Sequence, residues 1–536
     1  MKGGKRGRLW FSVVVLLGLV GALSALAEEQ PRYGGILNVA LAGDPPSLDM
    51  HQESTFMVQI PIASVYNTLV QFDPHGYPTI IGDLAKSWTV SDDHLSYTFK
   101  LHEGVKFHDG TELTAADVKA SWERIVFPPE GVVSPRRSLY TAVKSIEAPD
   151  RSTVIFHLHH PSPSFLSMVA SPFAWILAKK HLDQDQQYYR SQSVGTGPFK
   201  LKKVMRGSVI ELERNPHYWK KGLPYLDGIN YFIIRDSSAR VTALRSGRVD
   251  VEFRGVTPTD VANIKQQLGD EVVVAYPKAL FHWGVAFNVD KKPFDDERVR
   301  KALTLAIDRY DMAKTLAPLT GLETVGGLLH PDTPWALSNK ELQELPGYGE
   351  DYQANLREAK RLLAEAGYPG GFKTVMTNRN VKLPYIDLGV YLVSSWKKVG
   401  VEAEHKLEES ATWSKTRLTR DFELFVDPYG STLVGDPDEL MVRFTTGAMG
   451  NWGRFSEPIA DARFEQQKTE VNPQKRIQLV KEMQKAVLQK AWWIPTLWWT
   501  RAEVRSARIR NYEPLPAHHQ NRRLEDVWLA KDWAGH

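Results

Sequence analysis

Alternation of apolar and polar side chains predicts two half-buried strands early in the chain. Residues 95–101 read LSYTFKL and residues 153–159 read TVIFHLH, so that apolar side chains recur at every second position. Successive side chains of a strand point to opposite faces of its sheet. One face of each strand is therefore expected to be buried, while the other faces water.

Apolar residues spaced by three and four positions predict helices elsewhere. Residues 114–125 (TAADVKASWERI) begin with a threonine that can cap a helix, and residues 299–307 and 356–366 carry the same spacing. An Asn-Pro pair at residues 472–473 predicts the start of a further helix, which runs to about residue 490. Because strand and helix patterns alternate along the chain, the sequence predicts an α/β fold.

An apolar run at the N-terminus follows four basic residues and ends at Ala25-Leu26-Ala27, directly before Glu28. This order is typical of a secretory signal peptide, which we predict over residues 1–27. An uncleaved membrane anchor is the alternative, because the run approaches spanning length. No later segment stays apolar for 18 residues, so a second membrane span is not expected.

Charge and composition exclude several classes of protein. The chain has 67 basic and 63 acidic residues, and removal of the four basic residues of the signal peptide leaves 63 of each. A net charge of zero gives no reason to expect a nucleic-acid partner. The absence of cysteine excludes disulfides, thiolate metal sites, cysteine nucleophiles and a lipoprotein anchor. The remaining residues, about 510, exceed what one core usually serves, and two or more lobes are expected.

We find no catalytic constellation in the sequence. HExxH, GxSxG and GxxxxGK[ST] motifs are absent, and the adjacent histidine pairs at residues 159–160 and 518–519 have poor spacing for one metal ion. These observations favour a binding protein over an enzyme, with neither cofactor nor metal.

Residues 84–125, which read LAKSWTVSDDHLSYTFKLHEGVKFHDGTELTAADVKASWERI, carry a specific resemblance. They resemble the signature of family 5 extracytoplasmic solute-binding proteins, the group of dipeptide-, oligopeptide- and nickel-binding receptors of bacterial ABC importers. Further matching blocks follow in the family's order, namely GTGPF at 195–199, NPHYW at 215–219, LRSGRVD at 244–250, FDD at 294–296, AIDR at 306–309 and AGYP at 366–369.

The resemblance implies a two-lobed periplasmic-binding-protein fold with a hinge and an extra subdomain in lobe I. The expected divisions are lobe I at 31–285, its subdomain at about 80–190, lobe II at 286–501, a C-terminal return to lobe I at 502–536, and chain crossings near 287–289 and 499–501. Solute would enter the open cleft and favour the closed form, which the membrane permease subunits recognise. The resemblance therefore implies a periplasmic or other extracytoplasmic receptor, expected to be a monomer.

Ligand contacts are expected after the first strand near residues 46–49, at the first crossing and on two lobe II loops, and the tryptophans before the second crossing are further candidates. The candidate residues that the resemblance implies are Phe281, His282, Trp283, Asn378, Asp427, Tyr429, Ser431 and Trp498. Aromatic side chains at these places can stack on a solute and exclude water. Filling of the core is the alternative role for the tryptophans of WWIPTLWW at 492–499.

One position departs from the family. Peptide-binding members carry an aspartate shortly before the acidic-Pro pair, where it binds the α-ammonium group of the peptide. Counted back from Asp436-Pro437, this sequence has Leu433, which cannot pair with an ammonium ion. Asp427 is a substitute from the same loop, and a turn before Pro428 is its alternative role.

Three hypotheses about function follow from these residues. The first is a receptor for a peptide or peptide-like solute, bound by backbone pairing along an extended ligand. The second is a receptor of the same fold for an opine, an oligosaccharide or a metal chelate. The third is a secreted hydrolase, which the missing catalytic motifs disfavour.

Overall fold

The computed structural model describes residues 29–53, 55–252, 254, 256–430, 435–514 and 523–530. The predicted signal peptide lies outside these residues. Within them, no helix combines the length and the apolar character that a membrane crossing requires. Strands and helices alternate along the chain, which confirms the predicted α/β class.

The strands of the described part, numbered in chain order, are β1 (Ile36–Leu41), β2 (Val70–Phe72), β3 (Ile80–Gly82), β4 (Ala85–Val90), β5 (Ser96–Leu101), β6 (Val143–Asp150), β7 (Thr153–Leu158), β8 (Phe199–Met205), β9 (Val209–Arg214), β10 (Gly228–Ile233), β11 (Val251–Glu252), β12 (Val272–Ala275), β13 (Lys278–Phe287), β14 (Leu322–Val325), β15 (Lys373–Arg379), β16 (Glu402–Glu408), β17 (Leu424–Gly430), β18 (Trp493–Thr500), β19 (Glu503–Ser506), β20 (Ile509–Arg510) and β21 (Trp528–Leu529).

The α-helices, numbered in the same way, are α1 (Phe56–Ile62), α2 (Ala115–Val126), α3 (Phe165–Val169), α4 (Lys179–Gln184), α5 (Ser237–Arg245), α6 (Pro258–Leu268), α7 (Glu297–Leu305), α8 (Arg309–Thr320), α9 (Asn339–Gln343), α10 (Tyr352–Glu365), α11 (Asp387–Lys397), α12 (Ser410–Thr419), α13 (Asp438–Met441), α14 (Pro458–Gln467) and α15 (Pro473–Gln489). A π-helical turn, Lys382–Ile386, directly precedes α11.

The locally encoded elements form where the sequence predicts them. The two alternating segments are β5 and β7, which pair antiparallel in one sheet. Asp117 accepts the backbone N–H of Thr114 at 2.9 Å and so completes the predicted cap of α2. Asn472 caps α15 by accepting the N–H groups of Gln474 and Lys475 at 3.0 and 3.1 Å.

Lobe I is built on a sheet in the strand order β12-β19-β11-β1-β10-β9-β8. The central strand β1 pairs parallel with β10 on one side and with β11 on the other. The strand β19 comes from the far C-terminal part of the chain, and it lies between β12 and β11. Lobe I is therefore discontinuous in sequence, and the C-terminal segment returns to it.

The extra subdomain has its own sheet, in the order β4-β5-β7-β6, with α2 packed against it. Its apolar core draws on residues between Leu69 and Ala178. Trp122 of α2 is fully buried at the centre, edge-on to Tyr140 and Phe156 at 5.2 and 5.3 Å between ring centres. A separate buried core of this kind allows the subdomain to act as a rigid body.

Lobe II is built on a sheet in the order β14-β18-β13-β17-β15-β16. The strand β13 pairs antiparallel with both β17 and β18, so it lies at the centre of the sheet. Gly284 of β13 faces the indole of Trp493, and a Cβ atom there would lie 2.1 Å from Trp493 Nε1. Glycine is required at this position because the indole occupies the space of a side chain.

The chain crosses twice between the two sheets. β12 ends in the lobe I sheet and β13 begins in the lobe II sheet, which places the first crossing at residues 276–277. The expected crossing near residues 287–289 is thus too late, because the whole of β13 belongs to lobe II. The second crossing, residues 501–502 between β18 and β19, lies next to the expected residues 499–501.

Buried histidines couple the fold to pH. Burial lowers the pKa of His51, whose Nε2 lies 2.8 Å from the Trp175 carbonyl, to about 4. Burial likewise lowers the pKa of His108, whose Nε2 lies 3.0 Å from the Gly197 carbonyl, to about 4. The unfolded chain binds protons at these sites near pH 6.5, whereas the folded chain does not, so acid favours unfolding.

We predict that the free energy of unfolding falls as the pH is lowered from about 6.5 towards 4, by roughly 1.4 kcal/mol per pH unit for each such histidine. His108→Gln keeps a hydrogen-bond donor and removes one titrating group. Its stability should therefore fall less steeply with acid than that of the wild type. Urea unfolding at several pH values measures the slope, and the exposed His94→Gln is the control. Equal slopes for wild type and His108→Gln would contradict the prediction.

Candidate functional site

A cavity of about 800 Å³ lies between the two lobes. Lobe I contributes Phe56 of α1, Arg254 and the first turns of α5 and α6. Lobe II contributes side chains of β13 and β15, the π-helical turn and the start of α11. A molecule held in this cavity contacts both lobes at once.

The first turns of α5 and α6 form much of the lobe I wall. Asp236 caps α5 by accepting the N–H of Ala239 at 2.7 Å, and Thr257 caps α6 by accepting the N–H of Asp260 at 3.1 Å. The hydroxyl-bearing Ser238 and Thr259 follow these caps on the cavity wall. The partial positive charge of a helix N-terminus favours an anionic group in its vicinity.

Arg254 is the cation of the lobe I wall. Its guanidinium lies 4.3 Å from the ring centre of Phe56, on which it stacks. Burial lowers the pKa of Arg254 to about 10, and the positive charges of Arg379, Arg501 and Arg240 push it in the same direction. Arg254 still carries its charge at neutral pH.

The two neighbouring arginines of lobe I have acidic partners. Arg240 Nε lies 3.2 Å from Glu252 Oε1, and both side chains are buried. Arg501 Nη2 lies 3.9 Å from the buried Glu503 Oε2. The side chain of Arg254, by contrast, makes neither an ion pair nor a hydrogen bond with any other part of the described chain.

Arg379, at the end of β15, is the facing cation of lobe II. Its Nε donates to Ser410 Oγ at 2.9 Å, and its guanidinium lies 5.6 Å from the ring centres of Tyr385 and Trp413. These contacts fix the side chain without neutralising its charge. Within the described residues, its hydrogen-bonding partner is an uncharged hydroxyl rather than a carboxylate.

The predicted contacts on β13 divide between two faces of the strand. Phe281 and Trp283 line the cavity, whereas His282 between them points to the opposite face. The buried His282 ring stacks on Trp498 at 4.3 Å and meets Tyr429 edge-on at 4.7 Å. Burial and the charge of Arg443 hold the pKa of His282 well below its usual range.

Two further predicted residues are held by core contacts. Asp427 Oδ1 accepts from Arg417 Nη1 at 3.0 Å, and its other oxygen pairs with Arg443. Asn378 Nδ2 donates to the Tyr385 carbonyl at 2.6 Å. Neither side chain lies on the wall of the cavity, although their neighbours Arg379 and Pro428 do. Ser431 and Leu433 lie outside the described residues.

Trp498 lines a second cavity, of about 490 Å³. Tyr77 of lobe I and Trp335 of lobe II lie on its wall, together with the Asp436-Pro437 pair. The neighbouring Trp499 lines the first cavity instead. Because successive side chains of β18 point to opposite faces, Trp498 and Trp499 line different cavities.

The sequence analysis missed the residues that lobe I contributes. The Asp-Ser-Ser run at 236–238 and the Thr-Pro-Thr-Asp run at 257–260 are capping signals that could have indicated two helix starts. Arg254 stands in a short connection without periodicity, and no pattern marks it. Within the described part of the chain, no group of three or more His, Asp or Glu side chains could hold a metal ion.

Residues 79–452 match the family model of the bacterial extracellular solute-binding proteins, family 5, middle region. The heme-binding protein A of Haemophilus influenzae is 30% identical over 485 residues, which cover 84% of this chain and 85% of that protein. The glutathione-binding protein GsiB of Escherichia coli K12 is 31% identical over 366 residues, which cover 68% and 67%.

Solved structures agree with this fold. The periplasmic binding protein DppA of Helicobacter pylori, in complex with the peptide STSA, superposes with a TM-score of 0.79 and is 26% identical, covering 93% of this chain and 99% of that one. AgaA of A. tumefaciens R10, in complex with agropinic acid, gives a TM-score of 0.80 and 25% identity, covering 94% and 100%. This two-lobed chain belongs to the bacterial extracellular solute-binding proteins, family 5.

Proposed function

We propose that the protein is the receptor of an ABC importer and captures a peptide or peptide-like solute with a carboxylate in the cleft between its lobes. The observation that carries this proposal is the cavity of about 800 Å³ lined from both lobes. A solute that contacts both lobes stabilises the closed form through contacts that the open form lacks. Hinge closure at the two crossings then follows.

The cleft has the chemistry that such a solute needs. Phe281 and Trp283 offer aromatic faces for apolar parts of the solute. Arg379 presents a guanidinium that can hold a carboxylate with two parallel hydrogen bonds. Asp387, on the same wall, offers a carboxylate to an ammonium group, a role that Leu433 cannot fill. Together these groups suit a zwitterionic ligand.

The proposal extends to location, partners and chemistry. The receptor is secreted through the cleavable signal peptide of residues 1–27 and works as a monomer outside the cytoplasm. In its closed form it docks on the permease subunits, and ATP is hydrolysed by another subunit. It releases the solute unchanged, since no covalent step is part of this function.

An opine is the second candidate solute. AgaA, a structural neighbour of this chain, was solved with agropinic acid. An opine also carries a carboxylate, and the unpaired charge of Arg379 suits it equally well.

The direct test is native mass spectrometry of the purified protein, followed by identification of the released molecule. We expect a bound peptide or peptide-like acid at one copy per chain. A released neutral sugar would contradict the proposed solute class. Turnover of a solute that disappears on substitution of one acid in the cleft would contradict the receptor function itself.

We predict that Arg379→Gln raises the Kd of the identified solute roughly ten- to a hundredfold, because a charge-assisted hydrogen bond is lost in a desolvated cleft. Isothermal titration calorimetry measures the change. Arg206→Gln is the matched control, since Arg206 is exposed on the connection between β8 and β9, and its Kd should equal that of the wild type. An unchanged Kd in Arg379→Gln would contradict the prediction.

A buried hydrogen bond joins the subdomain to lobe II. Ser164 Oγ, next to α3, donates to Asp438 Oδ2 at 2.7 Å. The other oxygen of Asp438 accepts from Gln467 at 2.7 Å and from Arg476 at 2.9 Å. Arg476 also binds Asp436, so that lobe II alone holds Asp438 in position, independently of Ser164. The bond can therefore stabilise the closed form.

We predict that Ser164→Ala weakens solute binding about two- to tenfold, since the closed form loses one net hydrogen bond. Calorimetry with the identified solute provides the measurement. Ser138→Ala is the control, because Ser138 lies on the same boundary but its hydroxyl makes no hydrogen bond within the described residues. If both variants bind as the wild type does, this contact does not contribute to closure.

A further inference from the structure

Two arginines from opposite lobes face one cavity. Arg254 of lobe I and Arg379 of lobe II both line the interlobe cavity, and each lacks a carboxylate partner among the described residues. The ring centre of Tyr385, on the same wall, lies 5.6 Å from the Arg379 guanidinium. The two positive charges therefore come together when the lobes approach.

Fully buried arginines elsewhere in the described chain have acceptors. Arg300 donates to the carbonyls of Phe294 and Asp295 at 2.9 and 3.0 Å. Arg309 donates to the carbonyls of Pro495 and Gly347 at 3.0 and 2.7 Å. Arg254 is only half-buried, and it faces the cavity without a hydrogen-bond acceptor among the described residues. Arg254, stacked on Phe56, is thus poised for an acceptor that the protein itself does not supply.

The remaining charges of the wall do not neutralise the pair. Asp260 is occupied, since its Oδ2 accepts from Thr257 Oγ1 at 2.7 Å within the α6 cap. Arg240 is matched by Glu252. Lys382 and Asp387 flank the π-helical turn with opposite charges. Arg254, Arg379 and Lys382 thus stand against the carboxylates of Asp260 and Asp387, which leaves the wall with an excess of one positive charge and both arginines without a direct acidic partner.

We propose that these arginines make closure of the cleft depend on the charge of the solute, a property that we call a charge gate. Their repulsion holds the empty lobes apart, and a solute with two acidic groups, one for each arginine, allows the lobes to close. This inference rests on the proposed function, because it concerns the same cleft, and it narrows the solute class to diacids. A neutral solute enters the cleft without closing it.

The physical basis is the change of dielectric on closure. Like charges across an open, water-filled cleft repel weakly, but the repulsion grows as closure removes water. Salt screens the charges while the cleft is open. A diacid replaces the repulsion with two charge-assisted contacts, and closure is thereby coupled to the charge of the solute.

The test measures closure in the solute-free protein. The natural chain has no cysteine, so Lys265→Cys on α6 and Lys360→Cys on α10 give two labelling sites, one on each lobe. Single-molecule energy transfer between dyes at these sites reports the ratio of closed to open molecules. In this background, Arg254→Gln should raise that ratio about tenfold.

Two controls separate charge from general structural effects. Arg254→Lys keeps the charge and should remain as open as the wild type, and Arg206→Gln should also leave the ratio unchanged. Added salt should favour closure of the wild type and have little effect on Arg254→Gln. An unchanged ratio in Arg254→Gln, or an equal rise in Arg254→Lys, would overturn the proposal.

Glutathione and its dimethyl ester serve as probes of solute charge. Glutathione carries two carboxylates and should shift the wild type to the closed form, whereas the ester should not. Closure by both probes alike overturns the charge gate but leaves the receptor function intact. Conversely, a change of closure in solute-free Arg254→Gln supports the gate even where native mass spectrometry contradicts a peptide-like solute.

Discussion

The antiparallel pairing of β13 with β18 is the constraint on which the rest of the structure depends. β13 begins directly after the first crossing and β18 ends directly before the second, and Lys278 pairs with Thr500 at this point. The two crossings therefore lie side by side and form one hinge. The same pairing aims Phe281 and Trp283 at the cleft, and it places His282 against Trp498 in the core.

Ionic contacts divide between the boundary of the lobes and the cleft. Where the subdomain meets lobe II, Arg476 is saturated by Asp436 and Asp438, and the latter accepts Ser164 from across the boundary. In the cleft, Arg254 and Arg379 are left without acids in the described chain. The boundary contact is thus satisfied by groups of the protein, whereas the two cleft arginines have no acidic partner among the described residues.

Local signals predicted the fold better than they predicted the site. The strand β5 and the caps at Thr114 and Asn472 depend on nearby residues, and all three were predicted correctly. The role of Asp427 depends on Arg417 and Arg443, whose approach is set by tertiary packing. No pattern could reveal Arg254, because its neighbours come from distant parts of the chain. The expected position of the first crossing came from the family resemblance rather than from a local pattern, and no local signal marks where β12 leaves one sheet and β13 enters the other.

The adjacency of the two crossings has a consequence for modularity. Because lobe II begins at Lys278 and ends at Thr500, and these residues are paired neighbours, the lobe is an insertion whose entry and exit share one location. Such a segment can be exchanged between relatives without a change in the path of the chain through lobe I. Recombination at these two points would replace Arg379, Phe281 and Trp283 together, whereas Arg254 of lobe I would be kept. New ligand preferences can therefore arise from a lobe swap rather than from stepwise substitution.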